Sequence, residues 1–286
     1  MLALASDTLD TDLTAFDFAE NPMPDDELRS QYIAYIYSCV VADGLLAQNI
    51  APVHVSGYSM GIYAALYYCR AIRFTDGLFL IRSAWEKISE ATGDNRYGMG
   101  MIIGLKEDDI TRFRGYGENV EICNRNNPYT YIISGKRDAV EAILSASLEE
   151  GALRASLLPV SMPYHSMILH TASTRFGDAI RQMEIKKGKP VYFSALNQEE
   201  IITGDGLRRE LIRNIFSRMN WYETMKSLIE KGVTAFYECG AGDGLTKNFR
   251  FIGGSFKAYP VDKYRQFIDD PEATHSDDIF SQFDLP

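Results

Sequence analysis

Residues 52–71 read PVHVSGYSMGIYAALYYCRA, and most of the architecture can be inferred from this segment and its neighbours. The first five residues predict a short β-strand, Gly57 ends it, and the small residues after Gly61 predict a helix. The turn between them is a Gly-x-Ser-x-Gly pentapeptide. In this context it is typical of a nucleophile elbow, with Ser59 exposed at the turn and the Met60 N–H facing a developing oxyanion. The alternative is an ordinary βα turn without a catalytic role.

Elements on both sides of this turn predict an α/β fold. Apolar residues between Leu28 and Leu46 recur at steps of three and four, which predicts a helix with one buried face. Further helices alternate with strands at 190–195 and 235–239, a pattern that predicts a parallel sheet. Residues 97–160 have the order β-α-β-β-α-β of a ferredoxin-like subdomain. The predicted domains are a discontinuous core (1–96 and 161–265), an inserted subdomain (97–160) and an acidic tail (266–286), with residues 1–26 irregular.

Composition and charge exclude several classes of protein. Hydrophobic residues make up 46% and charged residues 24% of the 286 residues, which are ordinary globular values. The net charge of −10 argues against a nucleic-acid partner. No apolar run reaches the roughly 18 residues that a membrane span needs, and the N-terminus lacks the basic region of a signal peptide. We therefore expect a cytoplasmic protein with neither a membrane nor a nucleic acid as its partner.

The cysteines and histidines do not form a metal-binding pattern. His165 and His170 lack acidic or thiol ligands nearby in the sequence, so we predict no metal site. The cysteines lie far apart among apolar neighbours, which predicts buried free thiols in a reducing compartment. They are Cys39, Cys69, Cys123 and Cys239.

A nucleophilic serine needs a base, and the sequence contains four histidines. His165 follows the end of the inserted subdomain and is the candidate base for Ser59. His54 is expected to pack within the strand, His170 to cap a helix or lie at the surface, and His275 to lie in the tail. The α/β-hydrolase triad places its histidine late in the chain, so this order argues against a standard lipase or esterase.

At this level of detail the sequence resembles the malonyl-CoA:acyl carrier protein transacylase family, the acyltransferases of fatty acid and polyketide synthesis. The resemblance extends from about residue 3 to about residue 260. Its motifs, in family order, are Gly57-Tyr-Ser-Met-Gly61, Ile132-Ile-Ser-Gly135, Leu158-Pro-Val-Ser-Met-Pro-Tyr-His-Ser166 and Tyr237-Glu-Cys-Gly-Ala-Gly242.

The resemblance implies a fold, a mechanism and a partner. The fold would be an α/β-hydrolase-like core carrying a ferredoxin-like subdomain. Ser59 and His165 would form a dyad that accepts an acyl group from a CoA or carrier-protein thioester, without a tightly bound cofactor. The phosphopantetheine thiol of an acyl carrier protein would then take the group from Ser59. The Asn214 carbonyl would orient His165, and Gln31 would be a further site residue or a polar residue at a helix end.

Departures from the family pattern bear on the acyl group. Tyr58 stands where the family usually has histidine, and with Ala84 and Tyr164 it is expected to line the acyl pocket. Malonyl-specific members place an arginine at the position of Ala84, where it pairs with the substrate carboxylate. Arg82 lies two positions away, about 200° around a helix, and should face elsewhere. We therefore expect poor malonyl selectivity and a neutral acyl group.

The start of the chain is the third departure. The family opens with a strand and a glycine-rich loop that supplies a second oxyanion donor, and nothing here matches them. Either the true chain starts upstream, or another segment fills the gap, or catalysis is impaired; of these we expect a truncated or misassigned start. Three functions stay open: an acyltransferase, an acyl-carrier-protein thioester hydrolase with the same dyad, and a non-catalytic module that binds carrier proteins.

Overall fold

The computed structural model describes residues 1–14, 27–93, 96–113 and 120–264, and its helices and strands form an α/β fold as predicted. The predicted tail at 266–286 lies outside these residues. The helices are α1 (Leu2–Leu9), α2 (Glu27–Ala47), α3 (Gly61–Tyr68), α4 (Phe74–Thr92), α5 (Glu107–Arg112), α6 (Arg137–Glu149), α7 (His170–Ala179), α8 (Gly204–Asn214) and α9 (Trp221–Glu230). The strands are β1 (His54–Val55), β2 (Tyr97–Ile103), β3 (Glu121–Asn127), β4 (Thr130–Lys136), β5 (Arg154–Leu157), β6 (Val191–Phe193), β7 (Glu200–Ile201), β8 (Ala235–Glu238) and β9 (Lys257–Pro260).

Helices α2, α3, α4, α7 and α8 contribute to the largest hydrophobic core. Tyr35 on α2 is 1% exposed, and its hydroxyl donates a hydrogen bond to the Phe74 carbonyl at 2.9 Å. Gly77 makes room for this ring, since a Cβ there would lie 2.1 Å from the tyrosine oxygen. The bond gives the buried hydroxyl an acceptor and fixes the start of α4 against α2.

The segment from β2 to β5 has the predicted β-α-β-β-α-β order. Its strands form one antiparallel sheet in the order β3-β4-β2-β5. Helix α6 packs on this sheet through Val140, Ile143 and Leu144, which are all buried. Gly100 on β2 lies beneath that helix, where a Cβ would lie 2.9 Å from Leu144. The small residue therefore lets helix and sheet approach closely.

The remaining strands correct the prediction of one parallel sheet. β1 pairs with β6 and β8 with β9, both in parallel, but the two pairs belong to separate sheets. β7 returns antiparallel to β6. Only residues 194–199 join β6 to β7, and this is too short for a parallel crossover, which needs a dozen residues or more.

The prediction of an irregular N-terminus is wrong for the first residues, which form α1. Ala5 and Leu9, one turn apart, are buried in the largest core together with Leu13. Asp7 and Asp10 are exposed, so the acidic residues lie on the outer side. Tertiary packing of an amphipathic face stabilises a helix that composition alone does not suggest.

Two further predictions concern thiols and membranes. Cys39, Cys69 and Cys123 are buried free thiols as predicted, whereas Cys239 is partly exposed. Of the helices in the described part of the chain, none has both the length and the apolarity needed to cross a membrane.

Candidate active site

The Gly-x-Ser-x-Gly turn joins β1 to α3, which is the strand–turn–helix context that the sequence predicts. Ser59 has a φ of 53°, in the left-handed region that residues other than glycine rarely adopt. The N–H of Ile62 donates to the Ser59 carbonyl at 3.1 Å. Gly57 lies against the first turn of α3, and a Cβ there would lie 2.3 Å from the Ile62 nitrogen. The strained serine is thus held where strand, turn and helix are closely packed.

The side chains of Ser59 and His165 meet although 106 residues separate them. Ser59 Oγ lies 2.8 Å from His165 Nε2. His165 also has a positive φ, 60°, and its backbone N–H donates to the Ile215 carbonyl at 2.9 Å. The structure therefore brings together the predicted nucleophile and the predicted base, with a separation suited to proton transfer.

The imidazole of His165 is buried, and burial disfavours its charged form. Desolvation lowers its pKa from 6.5 to about 4, although backbone groups of Ser217 and Asn214 act in the opposite direction. At neutral pH the ring is uncharged, so Nε2 can accept a proton from Ser59. Burial thus keeps the candidate base in its basic form.

The backbone of Asn214 acts on the His165 imidazole and raises its pKa, in the sense that the predicted orienting carbonyl requires. In the described part of the chain, the buried Nδ1 of His165 has no hydrogen-bond partner. Asn214 also donates from its side-chain Nδ2 to the Ser59 carbonyl at 3.2 Å. It therefore braces the backbone of the elbow, a contact that sequence position alone does not suggest.

Met60 is the residue before α3, and its N–H lies at the start of that helix. The N–H groups of Gly61 and Ile62 donate to the carbonyls of Tyr58 and Ser59. Among the described residues, no hydrogen bond takes up the Met60 N–H. A free N–H next to a nucleophile at a helix start can stabilise an oxyanion.

Gln31 and Tyr164 lie in the same wall of the site. Gln31 Nε2 donates to the Tyr164 hydroxyl at 2.8 Å, joining α2 to the residue before His165. Burial and the nearby Glu27 raise the pKa of Tyr164 well above its usual value, so this phenol stays neutral. Gln31 thus lines the cavity through this contact, and its role as a site residue stays a prediction.

Tyr58 is held by two asparagines that the sequence analysis did not identify. Its hydroxyl donates to Asn126 Oδ1 and accepts from Asn124 Nδ2, each at 2.9 Å. Its ring packs edge-on against Trp221 with centroids 5.4 Å apart. Burial raises the pKa of Tyr58 to about 12. The run Asn124–Asn127 was the available signal, but its polarity suggested only a turn.

A cavity of about 560 Å³ has Ser59 and His165 in its wall. Ala84 also lines it and is 5% exposed. Arg82 is outside this wall, more than half exposed, with its Nε 3.7 Å from Glu86 Oε1. No lysine or arginine is among the described residues that line the cavity. Helical geometry therefore turns Arg82 away, as predicted. The other lining residues include Tyr58, Met60, Tyr164, Asn214, Gln31 and Glu27.

Sequence comparisons identify relatives over most of the chain. It is 31% identical over 221 residues to the malonyl CoA-acyl carrier protein transacylase of Synechocystis sp., covering 76% of this chain and 72% of that protein. It is 28% identical over 265 residues to the Bacillus subtilis protein of the same name, covering 90% and 83%. It is also 31% identical over 259 residues to the polyketide biosynthesis protein ThaF of Burkholderia thailandensis, covering 88% of this chain but 22% of ThaF. No protein-family model matches the chain.

Solved structures agree with these relatives. FabD from Acinetobacter baumannii has a TM-score of 0.83 at 25% identity, covering 93% of this chain and 87% of that one. The malonyl-transacylase PlMCAT, solved with the type II polyketide synthase acyl-carrier protein AntF, has a TM-score of 0.82 at 27% identity, covering 91% and 86%. With the elbow geometry and the Synechocystis match, these likenesses show that the chain belongs to the malonyl CoA-acyl carrier protein transacylase family.

Proposed function

We propose that this protein is an acyltransferase that passes an acyl group from a CoA or carrier-protein thioester, through Ser59, to an acyl carrier protein. The 2.8 Å contact between Ser59 Oγ and His165 Nε2, in a chain of this family, carries the proposal. PlMCAT was solved with its acyl-carrier protein, which supports the same kind of partner here. CoA and phosphopantetheine thioesters enter as substrates, with no tightly bound cofactor.

The mechanism follows from the protonation state of His165. Nε2 takes the proton of Ser59 Oγ as the oxygen attacks the thioester carbonyl, and the Met60 N–H stabilises the resulting oxyanion. The C–S bond breaks, and the imidazolium returns the proton to the departing thiolate. In the second half, His165 takes the proton of the carrier-protein thiol. The thiolate attacks acyl-Ser59, the C–O bond breaks, and Ser59 recovers its proton.

The division of the chain into domains is part of the same proposal. We assign residues 1–96 and 161–265 to an α/β-hydrolase-like core and residues 97–160 to a ferredoxin-like subdomain. The antiparallel order β3-β4-β2-β5 with two helices supports the second assignment. The elbow between β1 and α3 supports the first. Residues 266–286 lie outside both.

The acyl group would be uncharged at its far end. Ala84 lines the cavity at the position where malonyl-specific members of the family have arginine. In the described part of the chain, no arginine or lysine lines the cavity to take its place. Burying a substrate carboxylate there without a partner would weaken its binding by several kcal/mol. Poor selectivity for malonyl groups therefore follows from the composition of the wall.

Intact-protein mass spectrometry tests the proposal. We would incubate the protein with acetyl-, butyryl-, hexanoyl- and malonyl-CoA, with Ser59→Ala as the control. We expect mass gains from the monocarboxylic groups that Ser59→Ala lacks, and loss of the added mass when holo carrier protein is supplied. Decay of the acyl-enzyme in water alone would instead indicate a hydrolase. The absence of every adduct would indicate a non-catalytic module, and efficient malonyl loading would refute the argument from Ala84.

A further inference from the structure

The cavity wall contains one carboxylate that the mechanism does not use. Glu27, in the first turn of α2, is the only Asp or Glu among the described residues that line the cavity. With His165 uncharged, Glu27 makes this wall negative. A malonyl carboxylate would need a positive partner, whereas the charge of Glu27 is negative.

Glu27 is fixed through one oxygen only. Oε2 accepts hydrogen bonds from the Ser161 N–H at 2.8 Å and from the Ser161 hydroxyl at 2.7 Å. Oε1 is buried, and in the described part of the chain no group meets it at hydrogen-bond distance and angle, although the Tyr164 hydroxyl lies near the carboxylate. A buried charged acceptor without a partner is unfavourable, so a ligand that supplies a donor would gain binding free energy there.

The position of Glu27 indicates which part of a substrate would meet it. Gln31 lies one helical turn along α2, also lines the cavity, and donates to Tyr164 beside His165. Four helical residues span about 6 Å. The carboxylate of Glu27 also acts on the Tyr164 hydroxyl and raises its pKa, so Glu27 lies in the wall beside the residue that precedes His165.

We infer that Glu27 selects acyl chains bearing a hydrogen-bond donor, a hydroxyl or an ammonium group, beyond the thioester and rejects chains that end in a carboxylate. The inference rests on the proposed function, because it assumes that this cavity holds the acyl group. It goes beyond the loss of arginine at Ala84, which predicts only weak binding of carboxylates and no preference among neutral or cationic chains.

Binding can be measured apart from chemistry in the Ser59→Ala protein. Calorimetry would compare CoA thioesters of four matched acyl groups: hexanoyl, 5-hydroxyhexanoyl, 6-aminohexanoyl and adipoyl. We expect a donor on the chain to tighten binding about tenfold relative to hexanoyl, and the adipoyl carboxylate to weaken it about tenfold. The hydroxyl and amino chains show which donor the site takes.

Glu27→Gln in the same background is the decisive variant. Its amide oxygen can still accept from Ser161, while its NH₂ replaces the unpartnered acceptor with a donor. The ratio of adipoyl to 6-aminohexanoyl dissociation constants should therefore fall from about 100 to about 1. Glu86→Gln, on the exposed side of α4, should leave that ratio unchanged.

The outcomes separate this inference from the proposed function. A ratio that Glu27→Gln does not alter, or adipoyl as the tightest ligand in the parent protein, would overturn the inference even if Ser59 is acylated. The expected ratio in a protein whose Ser59 accepts no acyl group would support Glu27 as a selector and refute the acyl-transfer chemistry.

Discussion

The buried imidazole of His165 predicts an unusual pH dependence for acyl transfer. Because burial lowers its pKa to about 4, the ring stays neutral well below pH 6.5. We expect kcat/KM for acylation of Ser59 by hexanoyl-CoA to stay level from pH 8 to about 5 and to fall as the pH passes through about 4. Rapid-quench mass spectrometry measures this rate. A midpoint near 6.5 would mean that water reaches the ring.

The same shift predicts how stability depends on pH. The folded pKa of His165 lies below its unfolded value, so between about pH 4 and 6.5 the unfolded chain binds more protons. The free energy of unfolding should therefore fall as the pH falls through this window. Urea titrations at pH 7 and pH 5 measure the change. His165→Gln should show a smaller decrease, and an equal decrease in both proteins would contradict the assignment.

Tyr58 illustrates the cost of breaking a buried polar network. Tyr58→Phe removes an acceptor from Asn124 and a donor from Asn126, both of which are buried. We expect the free energy of unfolding to fall by about 0.5–1.5 kcal/mol, since each asparagine loses one hydrogen bond while the 2.8 Å bond from Asn124 Nδ2 to Asn126 Oδ1 remains. Urea unfolding measures the loss. Tyr129→Phe, at a residue 42% exposed, should change stability by less than about 0.5 kcal/mol, and equal effects would contradict the network.

The sequence identifies residues with a fixed local geometry better than residues brought together by folding. Ser59 could be predicted because a strand, a glycine-bounded turn and a helix constrain it locally, and His165 because few histidines compete for the role. Asn124 could not, because its contact with Tyr58 spans 66 residues and crosses from one sheet to the elbow. The place of Glu27 in the site could not be predicted for the same reason, since its partner Ser161 comes from a distant loop.

At the scale of the element, the two glycines of the elbow have different roles. A Cβ at Gly57 would lie 2.3 Å from the Ile62 nitrogen, whereas a Cβ at Gly61 would meet nothing within 4 Å. Gly57→Ala should therefore lower the free energy of unfolding by more than about 2 kcal/mol, since α3 must shift. Gly61→Ala should change it little or raise it by up to about 1 kcal/mol. Urea unfolding of the pair gives both values.

The rate of Ser59 acylation should also differ between Gly57→Ala and Gly61→Ala. A shift of α3 would displace the Met60 N–H, so Gly57→Ala should lose acylation about 10²-fold or more where it folds. Gly61→Ala should remain within a few-fold of the parent protein. Equal effects of the two substitutions would mean that the close approach at Gly57 does not support the elbow.

Elements with a strong periodic signal were predictable, and short ones were not. The order of elements from β2 to β5 follows from local patterns, which the structure reproduces. The stripe predicted the helix α2 but not its surroundings, because Ile33, Val41 and Leu45 are buried on its other sides. β7 has two residues and is defined by its pairing with β6, so no periodicity could identify it. α1 is stabilised by burial of Ala5 and Leu9 against other helices, which a local pattern does not encode.

At the scale of the molecule, β3 joins the antiparallel sheet to the loops of the active site. The Met219 N–H donates to the Cys123 carbonyl at 2.9 Å. The hydroxyl of Ser166, next to His165, donates to Glu121 Oε1 at 3.0 Å. Two segments that contribute to the active-site wall thus hydrogen-bond to β3, a strand of the proposed subdomain at 97–160. The proposed core and subdomain, called the two units below, should therefore unfold together.

A bidentate ion pair strengthens this junction and provides a test. Arg218 donates to both carboxylate oxygens of Glu107 at 2.7 and 2.8 Å, linking the segment after α8 to α5. Both side chains are at least one-third exposed, so Arg218→Ala should cost only about 0.2–1 kcal/mol. We expect a lower urea midpoint with an unchanged m-value, and a smaller difference from the parent protein at 1 M salt.

Two spectroscopic probes determine whether the units are coupled. Far-UV circular dichroism reports on all elements, while tryptophan fluorescence reports on Trp85 at the cavity and Trp221 beside Tyr58. In a cooperative molecule the two transitions coincide, in the parent protein and in Arg218→Ala alike. Arg181→Ala, whose partner Asp178 lies three residues away, removes an arginine without touching the junction and is the matched control.

A dichroism transition that precedes the fluorescence transition in the parent protein would show that the antiparallel sheet unfolds independently. The contacts of β3 would then position the active site without coupling its stability to that of the sheet.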